Sequence, residues 1–375
     1  MKKIGLMFVL TSPARGGVEE VVLALLKRLD PSEFRLALAA PRALLDAFGS
    51  DLDDVAVDVA PVVAESWLRP REVTALARVM DRVRPDIVNP HLFRSTVVAA
   101  PLAWWRVHPA VVETYHGREG WRTGPLGGSF APDRLVGRFV DRVIAVSAAA
   151  RDFLVQVKRY PAEKVVVVPN GRDLSTFVPG RDRDVVRKEL GVDGHTPIVG
   201  VVGRLEEQKG HRYLLAAWPA ITRDLPDARL VVVGDGSLRS ALEAQARELA
   251  ITSSVIFTGF RADVARLLDA VDVLALPSLY EGMPLTAIEA AAMARPVVAT
   301  AVDGTPEVVE HGVTGFLVPP VNAAALSAAL FTLLADPERA RRMGAAGRRR
   351  ALERFDLMRQ VEATAVVYRS VAAGS

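Results

Sequence analysis

The stretch VLALPSLYEGMPLTAIEAAAMARPVVAT, residues 273–300, decides the fold of this chain. It opens with a short apolar run at 273–276, passes through a loop into an alanine-rich helical pattern at 285–293, and closes with a second apolar run at 297–300. Near-continuous apolar strands on either side of a helix are typical of a parallel sheet that is covered on both faces. The stretch therefore predicts a strand–helix–strand unit.

The same alternation continues in both directions along the 375-residue chain. Strands are predicted at 4–10, 36–39, 55–59, 87–89, 111–115, 143–146 and 165–168, and again at 198–202, 230–233, 255–258, 273–276 and 297–300. A turn at 169–171 and a charged run at 181–184 separate the two series, and only helix is predicted from Asn322 onward. The predicted fold class is α/β, with two doubly wound, Rossmann-like domains. Because ligands bind beyond the carboxyl ends of such strands, we expect the two domains to face each other across a cleft.

Composition narrows the classes of function. The formal net charge is +3, and the excess of positive charge lies in the first half of the chain. So mild an asymmetry fits an anionic acceptor, a membrane surface or ordinary solvated arginines, whereas nucleic-acid binding would require a denser basic stripe. The absence of cysteine excludes disulfides and thiolate metal sites. Because no apolar run approaches the roughly 18 residues of a membrane span, we expect a cytoplasmic protein, at most peripheral at the inner face of a membrane.

Two glycine-containing loops follow predicted strands and carry groups suited to phosphate. The first holds Gly16 and Gly17 directly before a helix, where the backbone approaches a ligand closely and free N–H groups face an anion. A tight turn without a ligand is the alternative. The second holds Arg204 and Lys209, whose forked and point-like positive charges suit a diphosphate unless both are merely solvated.

The segment 278–293 gives the most specific pattern. Pro284 fits the first position of the helix and has no N–H, so the free donors there are those of Leu285 and Thr286, which could hold a phosphate oxygen. Glu281 lies in the loop, and Glu289 lies inside an otherwise apolar helix, where a buried carboxylate requires partners. Adjacent sugar or ribose hydroxyls are such partners; an arginine, or exposure to solvent, is the alternative.

Other loops give weaker signals. Gly259, Phe260 and Arg261 follow a predicted strand and are expected to wall a base pocket. His116 ends another strand just before a glycine, which makes it either a site residue or a structural histidine. Gly234 opens a pattern that lacks the third glycine of a dinucleotide fingerprint.

Several kinds of site are not predicted. The sequence contains no P-loop, no H-E-x-x-H motif and no G-x-S-x-G motif. Two acidic pairs have D-x-D spacing, Asp51 with Asp53 and Asp182 with Asp184, but neither follows a clear strand end. We therefore predict no metal site and treat both pairs as surface charges.

Together the motifs resemble those of family-4 retaining glycosyltransferases of the GT-B fold, over nearly the whole chain and in the right order. Glu281 and Glu289 form the E-x7-E spacing. The other matching motifs are Gly203-Arg204-Leu205 with Lys209-Gly210, Val168-Pro169-Asn170-Gly171, Asp141-Arg142-Val143-Ile144-Ala145-Val146-Ser147, Gly16-Gly17-Val18-Glu19 and Pro296-Val297-Val298-Ala299-Thr300. The departure is Met283-Pro284, where many members carry Phe and Gly, and this could alter the donor pocket.

The resemblance implies an acceptor-binding domain at 1–172, a nucleotide-sugar-binding domain at 173–355 and a helix at 356–375 that crosses back to the first. Arg204 and Lys209 would hold the donor diphosphate and Glu281 the hydroxyls of the transferred sugar. The implied catalytic residues are Arg204, Lys209, Glu281 and His116. The implied donor-binding residues are Gly16, Gly17, Arg204, Lys209, Gly259, Phe260, Arg261, Leu285, Thr286 and Glu289, the last on the ribose.

The activity so implied is metal-independent transfer of a hexose-type sugar, with retention, from a nucleoside-diphosphate sugar to a glycan, lipid or small-molecule acceptor. The nucleotide sugar is then a co-substrate, and no cofactor and no nucleic acid is expected. A nucleotide-sugar epimerase of the same fold and a non-catalytic nucleotide-sugar-binding protein are the alternatives. The sequence leaves open the nucleotide, the sugar, the acceptor, the linkage and the oligomeric state.

Overall fold

A computed structural model describes residues 2–62, 70–118 and 130–374. It divides the chain into two compact units, one formed by Met1–Gly171 with Leu357–Ser375 and the other by Arg172–Asp356. Each unit has its own parallel sheet and its own hydrophobic core. Among the described residues, no helix combines the length and apolar character needed to cross a bilayer.

The strands lie mostly where the apolar runs predict them. They are β1 Ile4–Val9, β2 Phe34–Ala40, β3 Val57–Pro61, β4 Ile87–Pro90, β5 Ala110–Tyr115, β6 Arg142–Ala145, β7 Val165–Val167, β8 Ile198–Val202, β9 Arg229–Val233, β10 Val255–Gly259, β11 Val273–Leu276, β12 Val297–Thr300 and β13 Gly315–Val318.

The helices fill the gaps between the strands and then run uninterrupted to the end of the described chain. They are α1 Gly17–Arg28, α2 Arg42–Phe48, α3 Pro70–Val83, α4 Leu92–Arg106, α5 Ala131–Val136, α6 Ala148–Asp152, α7 Arg183–Glu189, α8 His211–Asp224, α9 Arg239–Glu248, α10 Val264–Ala270, α11 Leu285–Ala292, α12 Thr305–Val308, α13 Ala323–Ala335, α14 Pro337–Arg354 and α15 Leu357–Ala372.

The sheet of the first unit has the strand order β3-β2-β1-β4-β5-β6-β7. The order reverses between β1 and β4, which pair in parallel with Phe8 opposite Asn89. In open sheets of this kind, the crevice for a ligand lies outside the carboxyl ends of the strands at the reversal. Helix α15 belongs to this unit and packs on α1 and β5, with Tyr368 fully buried.

The sheet of the second unit has the order β10-β9-β8-β11-β12-β13 and reverses between β8 and β11. Its core surrounds the fully buried Trp218, whose Nε1 donates a hydrogen bond to Oγ of Ser254 at 3.0 Å. The sequence prediction found the edge strand β10 but missed β13 at the other edge. This strand begins at Gly315, where a Cβ atom would lie 2.0 Å from the carbonyl oxygen of Val297. The close pairing of β13 with β12 therefore requires glycine, a residue that is not typical of strands.

Candidate functional site

The loops that follow β8, β9 and β11 in the second unit pack tightly against one another. Gly210 has a φ of +63°, and a Cβ atom there would lie 2.1 Å from the carbonyl oxygen of Pro277. Gly234 has a φ of +135°, and its Cβ would lie 2.0 Å from the carbonyl oxygen of Gly203. Only glycine permits this spacing, so Gly210 and Gly234 allow the loops that carry Arg204 and Lys209 to approach their neighbours.

Lys209 and Glu281 form an ion pair at this loop cluster. The Nζ atom of Lys209 lies 2.6 Å from Oε1 of Glu281, and Ser278 donates a hydrogen bond from Oγ to the same oxygen at 2.7 Å. The backbone N–H of Glu281 donates to Oδ2 of Asp303 at 3.0 Å. Glu281 is buried, with 6% of its surface exposed. Lys209 and Glu281, which were assigned to different parts of a donor, are thus in direct contact. Ser278 and Asp303, whose hydrogen bonds hold the loop, were not singled out from the sequence.

Arg204 differs from Lys209 because its side chain is exposed. Within the described part of the chain, its guanidinium makes no hydrogen bond and no ion pair. Burial raises the pKa of Tyr280, and the positive charge of Arg204 opposes that rise, so Arg204 acts on the same loop that carries Glu281. Arg204 is therefore a cation available to an anionic ligand.

Helix α11 begins at Leu285, so Pro284 is the residue before the helix and not, as predicted, its first residue. The carbonyl oxygen of Pro284 accepts bonds from the N–H groups of Ala287 and Ile288 at 3.2 and 3.4 Å. The N–H groups of Leu285 and Thr286 donate to no acceptor among the residues that the structure describes. The two predicted donors are thus free at the amino end of α11, where the helix dipole favours negative charge.

Glu289 is buried in α11, with 7% of its surface exposed. Its Oε1 atom lies 2.7 Å from Nε of Arg172. Of the partners that the sequence left open for this carboxylate, the structure therefore shows an arginine. The sequence analysis did not single out Arg172, although it directly follows the Pro-Asn-Gly turn at 169–171.

The loop after β10 presents one apolar and one basic side chain. Gly259 has a φ of +75°, and the following Phe260 is 77% exposed. Arg261 contacts Asp263 through two bonds of 2.7 Å and Glu189 at 3.2 Å, and these hydrogen bonds raise the pKa of Arg261. Arg261 is thus engaged by acidic neighbours. The exposed ring of Phe260 is the group of this loop that a nucleotide base could stack on.

In the first unit, Gly16 and Gly17 lie at the start of α1. Gly16 precedes the helix with an extended backbone, and Gly17 is its first residue. A Cβ atom on Gly16 would lie 3.1 Å from Oε2 of the buried Glu19. The loop therefore has the strand-to-helix geometry that the sequence predicted. The neighbouring Arg15 forms ion pairs with Glu20 at 2.5 Å and with Asp51 at 2.8 Å.

His116 stands at the end of β5 as the last member of a buried polar chain. Its Nε2 atom lies 2.8 Å from Nδ1 of His91, whose Nε2 lies 3.1 Å from Oδ1 of Asn89. Burial lowers the pKa of His91 well below its usual value and lowers that of His116 to about 3, so both rings are neutral. The sequence predicted His116 alone, because its partners come from other strands.

Each acidic pair contains an aspartate that is paired with a basic side chain. Asp51 pairs with Arg15 and with Lys27, the latter at 2.6 Å, and Asp182 precedes α7 and pairs with Arg266 at 3.4 Å. In the described ranges, no three histidine or acidic side chains are grouped as a metal ion would require.

Comparison with known proteins gives a consistent result for both halves of the chain. The family described as "Glycosyltransferase Family 4" matches residues 15–176, and the family described as "Glycosyl transferases group 1" matches residues 182–350. The alpha-maltose-1-phosphate synthase of Mycolicibacterium smegmatis is 36% identical over 277 residues, which are 68% of this chain and 70% of that protein. The glycogen synthase of Mycobacterium tuberculosis is 30% identical over 375 residues, 97% of this chain and 84% of that protein.

Solved structures share the fold at lower identity. HepE of Anabaena, solved in complex with UDP-glucose, is 24% identical with a TM-score of 0.85, covering 98% of this chain and 100% of that one. Sucrose-phosphate synthase from Thermosynechococcus elongatus is also 24% identical, with a TM-score of 0.83 over the full length of both chains.

Proposed function

The chain belongs to the family-4, group 1 glycosyltransferases of the GT-B fold, and from that premise we propose that it transfers a hexose-type sugar, with retention, from a nucleoside-diphosphate sugar to a glycan, lipid or small-molecule acceptor. One observation carries the proposal. Three sets of groups follow strands at the carboxyl edge of one sheet: the guanidinium of Arg204, which has no partner among the described residues, the ammonium of Lys209, and the first two N–H groups of α11. Cations and oriented donors so placed suit a diphosphate.

The ribose, the base and the sugar of the donor bind to other residues of the second unit. Glu289 accepts hydrogen bonds from the ribose hydroxyls, and Phe260 with Gly259 lies against the base. Glu281 accepts from hydroxyls of the sugar, and its existing bonds from Lys209 and Ser278 to Oε1 hold the carboxylate in one orientation. The glycogen and alpha-maltose-1-phosphate synthases among the relatives support a sugar donor, as does the UDP-glucose bound by HepE of Anabaena.

The chemistry follows from where charge develops. As the bond between the anomeric carbon and the phosphate oxygen breaks, negative charge grows on the β-phosphate and positive charge on the sugar. Fixed positive groups aimed at that phosphate stabilise the charge without having to reorganise. The acceptor oxygen bonds to the anomeric carbon on the face that the phosphate leaves, and the departing phosphate takes the acceptor proton. In this scheme Arg204 and Lys209 supply the charge that a metal ion supplies elsewhere.

Thermal-shift measurements with UDP, GDP, ADP and their glucose or mannose conjugates test the donor site, because a ligand that binds only the folded protein raises its stability. We expect one nucleoside diphosphate and its sugar conjugate to raise Tm, and that conjugate to give a glycosylated product whose anomeric configuration, read by NMR, matches the donor. No shift with any nucleotide, or an inverted product, would contradict the proposal.

The two alternatives make different predictions for the same donor. An epimerase converts the nucleotide sugar without an acceptor, so incubation with donor alone would yield the epimerised sugar. A non-catalytic binder would show the thermal shift but no turnover with any acceptor. We expect neither result, since the chain holds the cations and helix N–H groups that we propose for the diphosphate and shares its families with transferases.

We further propose that the first unit touches the inner face of a membrane through an exposed aromatic patch. Trp104 and Trp105, at the end of α4, are 56% and 69% exposed, and Leu135 on the neighbouring α5 is 57% exposed. Arg134 and Arg138 beside Leu135 are also exposed. Tryptophan next to arginine is suited to the interface of an anionic bilayer.

Flotation with vesicles tests this patch. The wild-type protein should float with phosphatidylglycerol vesicles and less with phosphatidylcholine vesicles, and Trp104→Ala/Trp105→Ala should lose most of the binding. Leu352→Ala, which removes an exposed apolar side chain of the second unit, is the control. Equal flotation of the double variant and the wild type would reject this surface.

A further inference from the structure

A continuous chain of hydrogen bonds runs through the first unit from its last helix to its candidate site. The hydroxyl of Tyr368 on α15 donates to Oδ1 of Asn89 on β4 at 2.7 Å, and the same oxygen lies 3.1 Å from Nε2 of His91. The other ring nitrogen of His91 lies 2.8 Å from Nε2 of His116. Asn89, His91 and Tyr368 are each fully buried, so water does not compete for these bonds.

The orientation of the Asn89 amide is determined by its other contacts. Its Nδ2 donates to the carbonyl oxygen of Val112 and to Oγ1 of Thr114, the latter at 3.0 Å. A reversed amide would place its oxygen against the Val112 carbonyl, and two acceptors facing each other in a buried site are strongly unfavourable. Oδ1 of Asn89 therefore faces Tyr368 and His91.

This orientation fixes the protons on both imidazoles. An amide oxygen only accepts, so His91 must carry its proton on Nε2 and donate it to Asn89. Since His91 is neutral, its Nδ1 is an acceptor, and His116 must donate to it from Nε2. His116 is neutral as well, so its Nδ1 bears a lone pair, and within the described residues this atom has no partner.

The backbone holds both rings at the ends of paired strands. His91 forms a parallel bridge with Thr114, two residues before His116. Leu92 follows His91 with a φ of 68°, and Gly117 follows His116 with a φ of 107°. A left-handed leucine is strained, and such strain persists only where the surroundings determine the conformation. The chain therefore changes direction directly after each histidine, so both rings lie at the ends of paired strands.

We propose that Asn89 and His91, supported by Tyr368, are positioning residues that hold His116 in one tautomer, so that its Nδ1 accepts a hydrogen bond from a hydroxyl of the sugar-bearing ligand. His116 in this state recognises a hydroxyl and rejects a group that only accepts, such as a ring oxygen, a fluorine or a phosphate oxygen. The identity of the ligand rests on the proposed function; the tautomer does not. A site built to bind a hydroxyl discriminates against the analogue that lacks it.

Nitrogen-15 NMR of the histidine rings tests the tautomer in the ligand-free protein. The chain has six histidines, and the signals that vanish in His116→Gln identify the ring in question. We expect His116 to be neutral at pH 7 with its proton on Nε2, and His91→Phe, which removes the acceptor, to shift the proton of His116 towards Nδ1. A wild-type His116 that is cationic or protonated on Nδ1 would overturn the proposal, and this result does not depend on whether His91→Phe folds.

Kinetics test the consequence for recognition. His91→Phe should lower kcat/KM about tenfold, which corresponds to the loss of one neutral hydrogen bond. Replacing the recognised hydroxyl of the donor by fluorine should lower kcat/KM of the wild-type enzyme by a similar factor, but should leave kcat/KM of His91→Phe almost unchanged. Tyr368→Phe should cost less, because Asn89 remains anchored by Val112. Tyr160→Phe, which also removes a buried hydroxyl from the first unit, is the control. Equal responses of wild type and His91→Phe to every deoxyfluoro donor would refute the recognition role, whereas absence of transfer in all proteins would refute only the proposed function.

Discussion

The Nζ atom of Lys209 lies 2.6 Å from Oε1 of Glu281, while the guanidinium of Arg204, in the same loop, has no partner among the described residues. The two cations proposed for one diphosphate therefore differ in the free protein. Lys209 also compensates a buried carboxylate, so replacing it affects the fold as well as the ligand. Arg204 does not, so its replacement reports on the ligand alone.

Arg204→Ala is expected to lower kcat/KM by roughly 2–4 kcal/mol of transition-state stabilisation, as removal of other preorganised charges does. Tm should not change, because the side chain is exposed and forms no hydrogen bond or ion pair with the residues that the structure describes. Steady-state kinetics and thermal unfolding measure both effects, with Arg223→Ala, an exposed arginine at the end of α8, as the control. Near-wild-type kinetics would remove Arg204 from the diphosphate site.

Lys209→Ala is expected to lower both activity and stability. Removing one partner of a buried ion pair typically costs about 3–5 kcal/mol; because the Lys209 side chain is 17% exposed, we expect the lower end of that range. The double variant Lys209→Ala/Glu281→Gln should recover much of the stability but none of the activity, as urea unfolding and kinetics would show. If the double variant were no more stable than Lys209→Ala, the pair would not account for the loss.

Glu289→Gln should weaken binding of the full nucleoside diphosphate by about 1.5–3 kcal/mol, the value of a hydrogen bond to a charged group. Pyrophosphate, which lacks the ribose, should bind almost as before. Arg172→Met is the matched control, because it removes the cation 2.7 Å from Glu289 but keeps the carboxylate. Isothermal calorimetry showing unchanged nucleotide affinity in Glu289→Gln would contradict the ribose role.

Most strands were predictable because a strand buried on both faces is an uninterrupted apolar run. The predicted runs at 198–202, 273–276 and 297–300 coincide with β8, β11 and β12. The edge strand β13 carries a glycine and two half-buried residues, Phe316 and Leu317, so it has no such pattern. Pattern reasoning therefore missed β13, an edge strand without an uninterrupted apolar run, although it found the edge strands β3, β7 and β10.

For the candidate site, the sequence indicated residues but not their partners. Arg204, Lys209 and Glu281 stand in glycine- or proline-marked loops after strands, and such loops can be recognised locally. By contrast, Asn89 and Tyr368 are 279 residues apart in the sequence, and no local spacing links them. A partner that comes from another element becomes visible only when the elements are packed.

Transfer activity should persist in excess EDTA. The segments proposed for the diphosphate offer Arg204, Lys209 and the N–H groups of α11, and the acid that contacts Lys209, Glu281, is already paired with it. A metal ion neutralises a diphosphate when carboxylates hold it there, and Asp51 and Asp182 are instead paired with arginines or lysine in other segments. Loss of activity on chelation and its recovery with Mg²⁺ or Mn²⁺ would contradict this prediction.

Glu113 predicts a pH dependence of stability that is separate from the candidate site. This residue of β5 is buried, and burial raises its pKa to about 7, although the nearby Lys158 opposes the rise. Between the unfolded value near 4.5 and the folded value near 7, the folded state binds more protons than the unfolded state. The contribution of Glu113 is therefore fully present below about pH 4.5 and is lost as the pH rises through 7.

Glu113→Gln, which stays neutral, should remove this dependence. Urea unfolding followed by circular dichroism should show the variant gaining stability relative to the wild type as the pH rises from 5 to 8. Glu33→Gln is the control, because its hydrogen bond with Arg369 lowers the pKa of Glu33, and the stability it contributes is lost only as the pH falls through that lowered pKa. The difference between Glu33→Gln and the wild type should therefore stay constant from pH 5 to 8. A constant difference between Glu113→Gln and wild type across this range would mean that Glu113 is ionised at pH 5, and that Lys158 outweighs burial.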